Sequence, residues 1–268
     1  MSTTVDSAPV SAPSASAPRT RVRVRVQRQE RPEAASYWQT FDVEYQPNMN
    51  VISVLQAIAR RPVTTDGAQT TPPAWDSGCL EEVCGSCTMV INGRVRQACT
   101  ALVDSLLKDA EDICLQPMTK FPVIRDLIPN RQRMFDALKQ VKAWVPVDNS
   151  YDLGEGPPVT PDVADERYAY SRCMTCGCCM EACPQYHSDS KFIGPAPIAQ
   201  AILFNLHPTG QVLESERLDV LMGPGGVSEC GNAQNCVKVC PKEVPLTRAI
   251  AKAGRAVVRH AFRKWFTK

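Results

Sequence analysis

The first clear pattern along the chain is a strict alternation, "RVRVRVQ". Val22, Val24 and Val26 share one face and Arg21, Arg23 and Arg25 the other, which predicts a half-buried strand with a solvated basic edge. A patch for an anionic partner is the weaker reading of those arginines. "SYWQTFDVEYQP" predicts a second strand. In "NMNVISVLQAIARR", Asn50 is placed to cap a helix whose Val51, Leu55 and Ile58 fall along one side. "TMVINGRVRQACT" sets Asn92-Gly93 between two short apolar runs, a strong local signal for a hairpin. "DICLQP" adds a further strand. Two strands, a helix and a hairpin describe a small mixed α+β domain.

Past residue 125 the period lengthens. Met134, Leu138, Val141 and Val145 recur at helical spacing. "GPAPIAQAILFNL" predicts a helix after its prolines, and Pro245 opens a long helical pattern to the C-terminus. The expected organisation is a low-complexity, disordered tail over 1–20, a mixed domain over 21–125 and a mostly helical domain over 126–268.

Composition alters this picture in one respect. The net charge of +2 marks no nucleic-acid binder, but thirteen cysteines in 268 residues is a high and odd count. The N-terminal stretch is Ser, Ala, Pro and Thr, without the apolar core of a signal peptide. That favours a reducing compartment, where clustered cysteines bind metal more often than they pair. No apolar run approaches the roughly 18 residues of a membrane span.

The cysteines fall into three groups. "CLEEVCGSC" spaces Cys79, Cys84 and Cys87 as a plant-type [2Fe–2S] loop does, and Cys99 follows on the neighbouring hairpin. A tight loop can present three sulfurs to one flat cluster, with Gly85 admitting close backbone approach. A four-cysteine zinc site is the alternative, but zinc loops come as paired short knuckles. Cys173, Cys176, Cys179 and Cys183, followed by Pro184, form the bacterial ferredoxin run, whose fourth cysteine serves the other cluster. The reciprocal run is "CGNAQNCVKVCP": Cys230, Cys236 and Cys240 fill its first, third and fourth slots, and Ala233 stands in the second.

Crossing then gives one complete set, Cys173, Cys176, Cys179 and Cys240, for a [4Fe–4S] cluster. Cys183, Cys230 and Cys236 form an incomplete one. An iron lacking a thiolate is either lost, leaving [3Fe–4S], or open to water, as in a Lewis-acid lyase. The apolar side chain at 233 favours loss. Cys114 and Cys178 remain outside these groups. Cys114 is expected to be a small buried residue in a strand, and Cys178 to ligate nothing. The chain has no G-x-G-x-x-G in a strand-to-helix context, so nucleotide chemistry falls to a partner.

With "CLEEVCGSC", "FPVIRDL", "RMFDALKQVKAWVP", "SKFIGPAP" and "NCVKVCPKEVPLTRAI" in this order, residues 21–268 closely resemble the iron–sulfur subunit of succinate dehydrogenase and fumarate reductase. The wording around the first group looks most like the Gram-positive type with a diheme cytochrome b anchor. The resemblance implies a plant-type ferredoxin (β-grasp) domain followed by a helical bacterial-ferredoxin-like domain. It also implies an FAD-bearing flavoprotein partner, a membrane anchor carrying heme b, and a peripheral place on the cytoplasmic side of the membrane. Electrons from succinate would pass through [2Fe–2S] and [4Fe–4S] to [3Fe–4S], and then to quinone, with menaquinone favoured. Pro184, His187 and Gly231 are the quinone-proximal candidates. His187 could donate a proton or hydrogen bond, although a surface histidine is the commoner case.

Two departures bear on the quinone. Ubiquinone-using relatives often carry a Trp pair after the Cys-Pro, where this chain has Gln185, Tyr186 and His187. They also often carry His at the position of Gly231. The C-terminal stretch holds Arg248, Lys252, Arg255, Arg259, Arg263 and Lys264 with Trp265 and Phe266. It reads either as a face for lipid or the anchor subunit, or as a solvated helix.

Overall fold

A computed structural model describes residues 20–146 and 158–267. The expectation of a disordered tail therefore lies outside the described residues, apart from position 20. Chain order begins β1 (Arg21–Arg28), β2 (Tyr37–Glu44), α1 (Val51–Arg60), β3 (Thr88–Ile91), β4 (Arg94–Gln97), α2 (Val103–Leu106) and β5 (Ile113–Gln116). These strands make one mixed sheet in the order β2-β1-β5-β3-β4, with β1 and β5 parallel and the other pairs antiparallel.

The alternation of β1 does what its period requires. Val22, Val24 and Val26 are fully buried while Arg21, Arg23 and Arg25 stay exposed. Val51, Val54, Leu55 and Ile58 of α1 pack on that apolar face. Asn50 caps the helix, its Oδ1 accepting from Ser53 N at 2.9 Å. Asn92 and Gly93 both take positive φ, 49° and 75°, the pair of left-handed residues that a two-residue hairpin turn needs.

A short hairpin, β6 (Val123–Arg125) and β7 (Ile128–Pro129), is tied back to this sheet through one buried charge pair. Asp126 accepts from Arg28 Nε at 3.0 Å and from the backbone amides of Gln29 and Ala74 at 2.9 and 2.8 Å. Both side chains of the pair are sealed from solvent. Removing one partner strands the other charge, so Asp126→Ala is expected to cost about 3–5 kcal/mol. A melting curve of the purified protein checks this. An unchanged Tm would show that Arg28 is satisfied by Gln39 and Thr71, which it also contacts.

The remainder is helical: α3 (Gln132–Gln140), α4 (Pro161–Ser171), α5 (Cys178–Glu181), α6 (Pro195–Asn205), α7 (Glu214–Met222), α8 (Asn235–Lys238) and α9 (Leu246–Phe266). α6 is apolar almost all round and lies at the centre. α9 packs on it through Ala249, Ala253 and Ala256, whose short side chains let the two backbones come close. Arg217 of α7 is fully buried and donates to the carbonyls of Lys142, Trp144 and Gly210 and to Asn205 Oδ1.

Two expectations need correction. Met134 and Val141 are buried, but the helix stops at Gln140 and Lys142 turns left-handed, so Leu138 is only half-buried and Val145 lies beyond the helix. Ala137 takes the inward position instead. Cys114 is in a strand, yet it is half-exposed rather than buried. It sits on the face of β5 opposite Ile113 and Leu115, and its backbone amide bonds Asn92 Oδ1 at 2.7 Å.

The basic C-terminal stretch also resolves in part. Lys252 and Arg248 reach Glu166, and His260 and Lys264 reach Asp219, so these four face the body of the protein. Val258, Phe262, Trp265 and Phe266 are exposed.

Candidate iron–sulfur centres

The first centre is a loop wound around a sulfur. Backbone amides of Glu81, Val83 and Cys84 converge on Cys79 Sγ at 3.4, 3.2 and 3.3 Å. The winding requires positive φ at Leu80, Glu82 and Gly85. Cys99 comes from just beyond β4. Thr100 Oγ1 holds it to the loop by donating to Glu82 Oε1 at 2.8 Å, and Asn50 Nδ2 donates to Cys99 O at 2.8 Å. Burial, then a hydrogen bond with Cys87, then the charges of Cys87 and Cys79 push the Cys99 thiol up to about 12. Cys84 is pulled down to about 6, chiefly by a hydrogen bond from Ser86. The four thiols are therefore electrostatic neighbours, with Cys87 and Cys99 buried and Cys84 exposed at the surface.

The other two centres are cavities. Cys173, Cys176, Cys178, Cys179 and Cys240 line one. Cys183, Cys230 and Cys236 line the other, together with Pro184, Gln185, Gly231 and Ala233. Cys240 thus shares a lining with the early cysteines and Cys183 with the late ones. The thiol charges agree. Burial first, then Cys176, Cys173 and Cys240, and last Cys236 from the other cavity, push Cys179 well up. Burial first, then Cys183 and Cys230, push Cys236 to about 11.

Local backbone explains the placement. Thr175 and Gly177 turn left-handed before α5, and Asn232 and Gln234 do so on either side of Ala233. The second cavity has no fourth Cys and no His, Asp or Glu in its lining. Among the described residues, no three such side chains are placed to hold a single metal ion. Thiols spread around a cavity suit an inorganic core, in which sulfide bridges span the gaps between irons.

Of the three quinone-proximal candidates, Pro184 and Gly231 line the second cavity. His187 does not line it. It opens onto a separate groove with Lys120, Phe121 and Arg133. Gly231 and Gln185 are matched in shape, since a Cβ at 231 would lie 2.6 Å from Gln185 Nε2. Tyr186 is buried beneath the Arg133 guanidinium, 4.2 Å from its ring centre.

Residues 22–136 match the 2Fe-2S iron-sulfur cluster binding domain family, and residues 169–244 match the 4Fe-4S dicluster domain family. The chain is 54% identical over 239 residues to the succinate dehydrogenase iron-sulfur subunit of Bacillus subtilis, covering 89% of this chain and 93% of that one. It belongs to the iron–sulfur subunits of succinate dehydrogenase and fumarate reductase.

Within that family it is 31% identical over 228 residues to the fumarate reductase iron-sulfur subunit of Wolinella succinogenes, covering 83% and 90% of the two chains. A chain of the Mycobacterium smegmatis Sdh1 complex shares the fold, with a TM-score of 0.75 at 21% identity over 90% of this chain and 97% of that one. Membership makes this chain a subunit of an oxidoreductase and a carrier of [2Fe–2S] and [4Fe–4S] clusters. The fold is the expected α+β pair, a plant-type ferredoxin domain followed by a helical bacterial-ferredoxin-like one.

Some residues around the centres carry no sequence signal of their own. Glu181 is buried and accepts from Thr119 N, Thr119 Oγ1 and Lys120 N, and Lys120 Nζ donates to Cys183 O. Arg131 Nη1 donates to Gly85 O at 2.9 Å. Gln97, at the end of β4, reaches Cys178. Each joins the ferredoxin half to the helical half, and Arg131 and Gln97 lie outside the cysteine runs.

Proposed function

We propose that this chain is the electron-transfer subunit of a membrane-bound succinate:quinone oxidoreductase. Bound at their thiols, the clusters supply one-electron sites in series. Cys79, Cys84, Cys87 and Cys99 hold [2Fe–2S]. Cys173, Cys176, Cys179 and Cys240 hold [4Fe–4S]. Cys183, Cys230 and Cys236 hold [3Fe–4S]. The observation that supports this reading is that Cys240 shares a cavity with Cys173, Cys176 and Cys179, and Cys183 one with Cys230 and Cys236, whose lining holds Ala233 and no fourth cysteine.

Electrons enter from an FAD-bearing flavoprotein subunit and leave to quinone at a cytochrome b anchor on the cytoplasmic side of the membrane. The higher identity to the succinate dehydrogenase subunit favours succinate oxidation over fumarate reduction. Menaquinone is favoured because Gln185, Tyr186 and His187 stand where ubiquinone-using relatives often carry a Trp pair. Gln185 lies at the three-thiol cavity, and Pro184 and Gly231 stand beside it as the nearest candidates to meet the quinone. A Lewis-acid lyase is disfavoured by the apolar Ala233, which offers no group to hold a bound hydroxide.

The test is purification with native partners, followed by succinate-dependent reduction of menaquinone and ubiquinone analogues. The flavoprotein is expected to copurify, iron to reach about nine per chain, and the oxidised complex to show a [3Fe–4S] EPR signal. A preparation with no flavoprotein, or one silent in the oxidised state, would overturn the reading.

Among the described residues, no helix is long and apolar enough to cross a membrane. The exposed Phe262, Trp265 and Phe266 of α9 offer the anchor subunit an apolar edge. Deleting residues 261–268 is expected to release the complex from membranes at moderate salt. Full retention in a sedimentation assay would remove α9 from this role.

A further inference from the structure

A buried polar seam joins the first two centres. Gly85 lies between Cys84 and Cys87, and a Cβ on it would stand 2.7 Å from both Cα and Cβ of Cys176. Gly85 O accepts from Thr88 Oγ1 at 2.7 Å. Thr88 Oγ1 accepts in turn from Gln97 Nε2 at 3.0 Å, and the same amide nitrogen donates to Cys178 Sγ at 3.4 Å. Thr88, Gln97 and Cys178 are 2%, 1% and 1% exposed, so water competes for none of these bonds.

The amide orientation is determined by its neighbours. The Thr88 hydroxyl proton is spent on Gly85 O, so its oxygen can only accept, and Gln97 must present Nε2 to it. Gln97 Oε1 is consequently left buried without a partner. An unsatisfied buried acceptor costs stability, which a purely structural glutamine would avoid. Cys178 accepts from Gln97 and keeps its own S–H. Cys178 lines the same cavity as Cys173, Cys176, Cys179 and Cys240, so this S–H sits among their sulfurs.

We propose that Gln97 and Cys178 act as positioning residues, Gln97 orienting the Cys178 S–H toward the sulfurs of the cavity that holds Cys176, and so raise the reduction potential of the [4Fe–4S] centre. The inference rests on the reading of Cys176 as a ligand. Reduction adds negative charge to the cluster and its thiolates, and donors aimed at a ligand sulfur stabilise that charge. The dry surroundings strengthen the effect. Gln97 belongs to the ferredoxin half, so one half of the chain tunes the carrier held by the other. Cys178, idle by ligand spacing, acquires a role as a donor.

The test is a potentiometric EPR titration of all three clusters in the purified complex, comparing wild type, Gln97→Leu, Cys178→Ala and Cys178→Ser. In the first two variants the reduced-to-oxidised ratio of [4Fe–4S] at fixed ambient potential should fall by up to about tenfold, equal to 59 mV for one electron. The [2Fe–2S] and [3Fe–4S] potentials should stay put. Cys178→Ser keeps a donor and should restore most of the shift. The double variant Gln97→Leu/Cys178→Ala should shift less than the two singles added, because the bonds act in series.

An unmoved [4Fe–4S] potential in Cys178→Ala with all clusters present would overturn the proposal. So would equal movement of all three potentials, which would signify general distortion. If Gln97→Leu fails to assemble, the two Cys178 variants decide alone. Failure of the underlying ligand assignment is separable: Cys176→Ser would then leave the wild-type [4Fe–4S] spectrum and potential intact.

Discussion

If the proposed [3Fe–4S] assignment holds, replacing Ala233 by cysteine is expected to give a [4Fe–4S] cluster there. Ala233 lines the same cavity as Cys183, Cys230 and Cys236, at the vacant second slot of the run. Its neighbours Asn232 and Gln234 already hold the left-handed turns that shape the loop, so the change adds a sulfur to an existing Cβ without new backbone demands. A fourth thiolate would retain the iron that the native corner loses. The [3Fe–4S] EPR signal of the oxidised complex should disappear entirely, because an intact oxidised cubane is diamagnetic. Iron should rise from about nine to about ten per chain. Added thiolate charge should lower the potential of this terminal carrier, so succinate-dependent quinone reduction should fall. A persistent signal with iron still near nine would show that position 233 is not the vacant corner.

The second large effect concerns contact between centres. Gly85 has φ +70° and would place a Cβ 2.7 Å from backbone and side-chain carbons of Cys176. Gly85→Ala therefore meets two penalties. The left-handed backbone costs roughly 1–2 kcal/mol with a Cβ present. The clash involves main-chain atoms, which can yield only if the two cysteine loops separate. Electron tunnelling weakens with distance, so separating the two loops slows transfer between their centres. A loss of succinate-dependent quinone reduction is expected, with cluster signals retained. Gly93→Ala is the control. It carries a similar φ of +75° but meets nothing within 4 Å, so it should lower stability slightly and leave electron transfer alone. Equal losses in both variants would mean that backbone strain, and not the spacing of the centres, is responsible.

The ferredoxin half was legible wherever local physics dominates. The period of β1, the Asn50 cap and the Asn92-Gly93 turn each depend on a few consecutive residues, and each is present. Errors arose where tertiary context outweighed the local pattern. The helical spacing of Met134, Leu138, Val141 and Val145 runs past the point where Lys142 breaks the helix. The chain there bends so that the carbonyls of Lys142 and Trp144 can meet buried Arg217, a partner more than seventy residues away. Cys114 lies in a strand but on the less covered face of β5, and which face is covered depends on what packs there.

By itself the sequence determined the chemistry. Thiolate spacing within a short loop dictates which inorganic core that loop can hold, and the missing thiolate at Ala233 is a property of one position. Only the tertiary structure decided how the centres meet. It set Gly85 of one loop against Cys176 of another, brought Cys183 and Cys240 across to each other's partners, and aimed Gln97 at a cysteine that spacing had left idle. The reason is physical. A ligand set is written in bonds a few residues long, whereas contact between residues 81 positions apart arises only when two cores pack against each other.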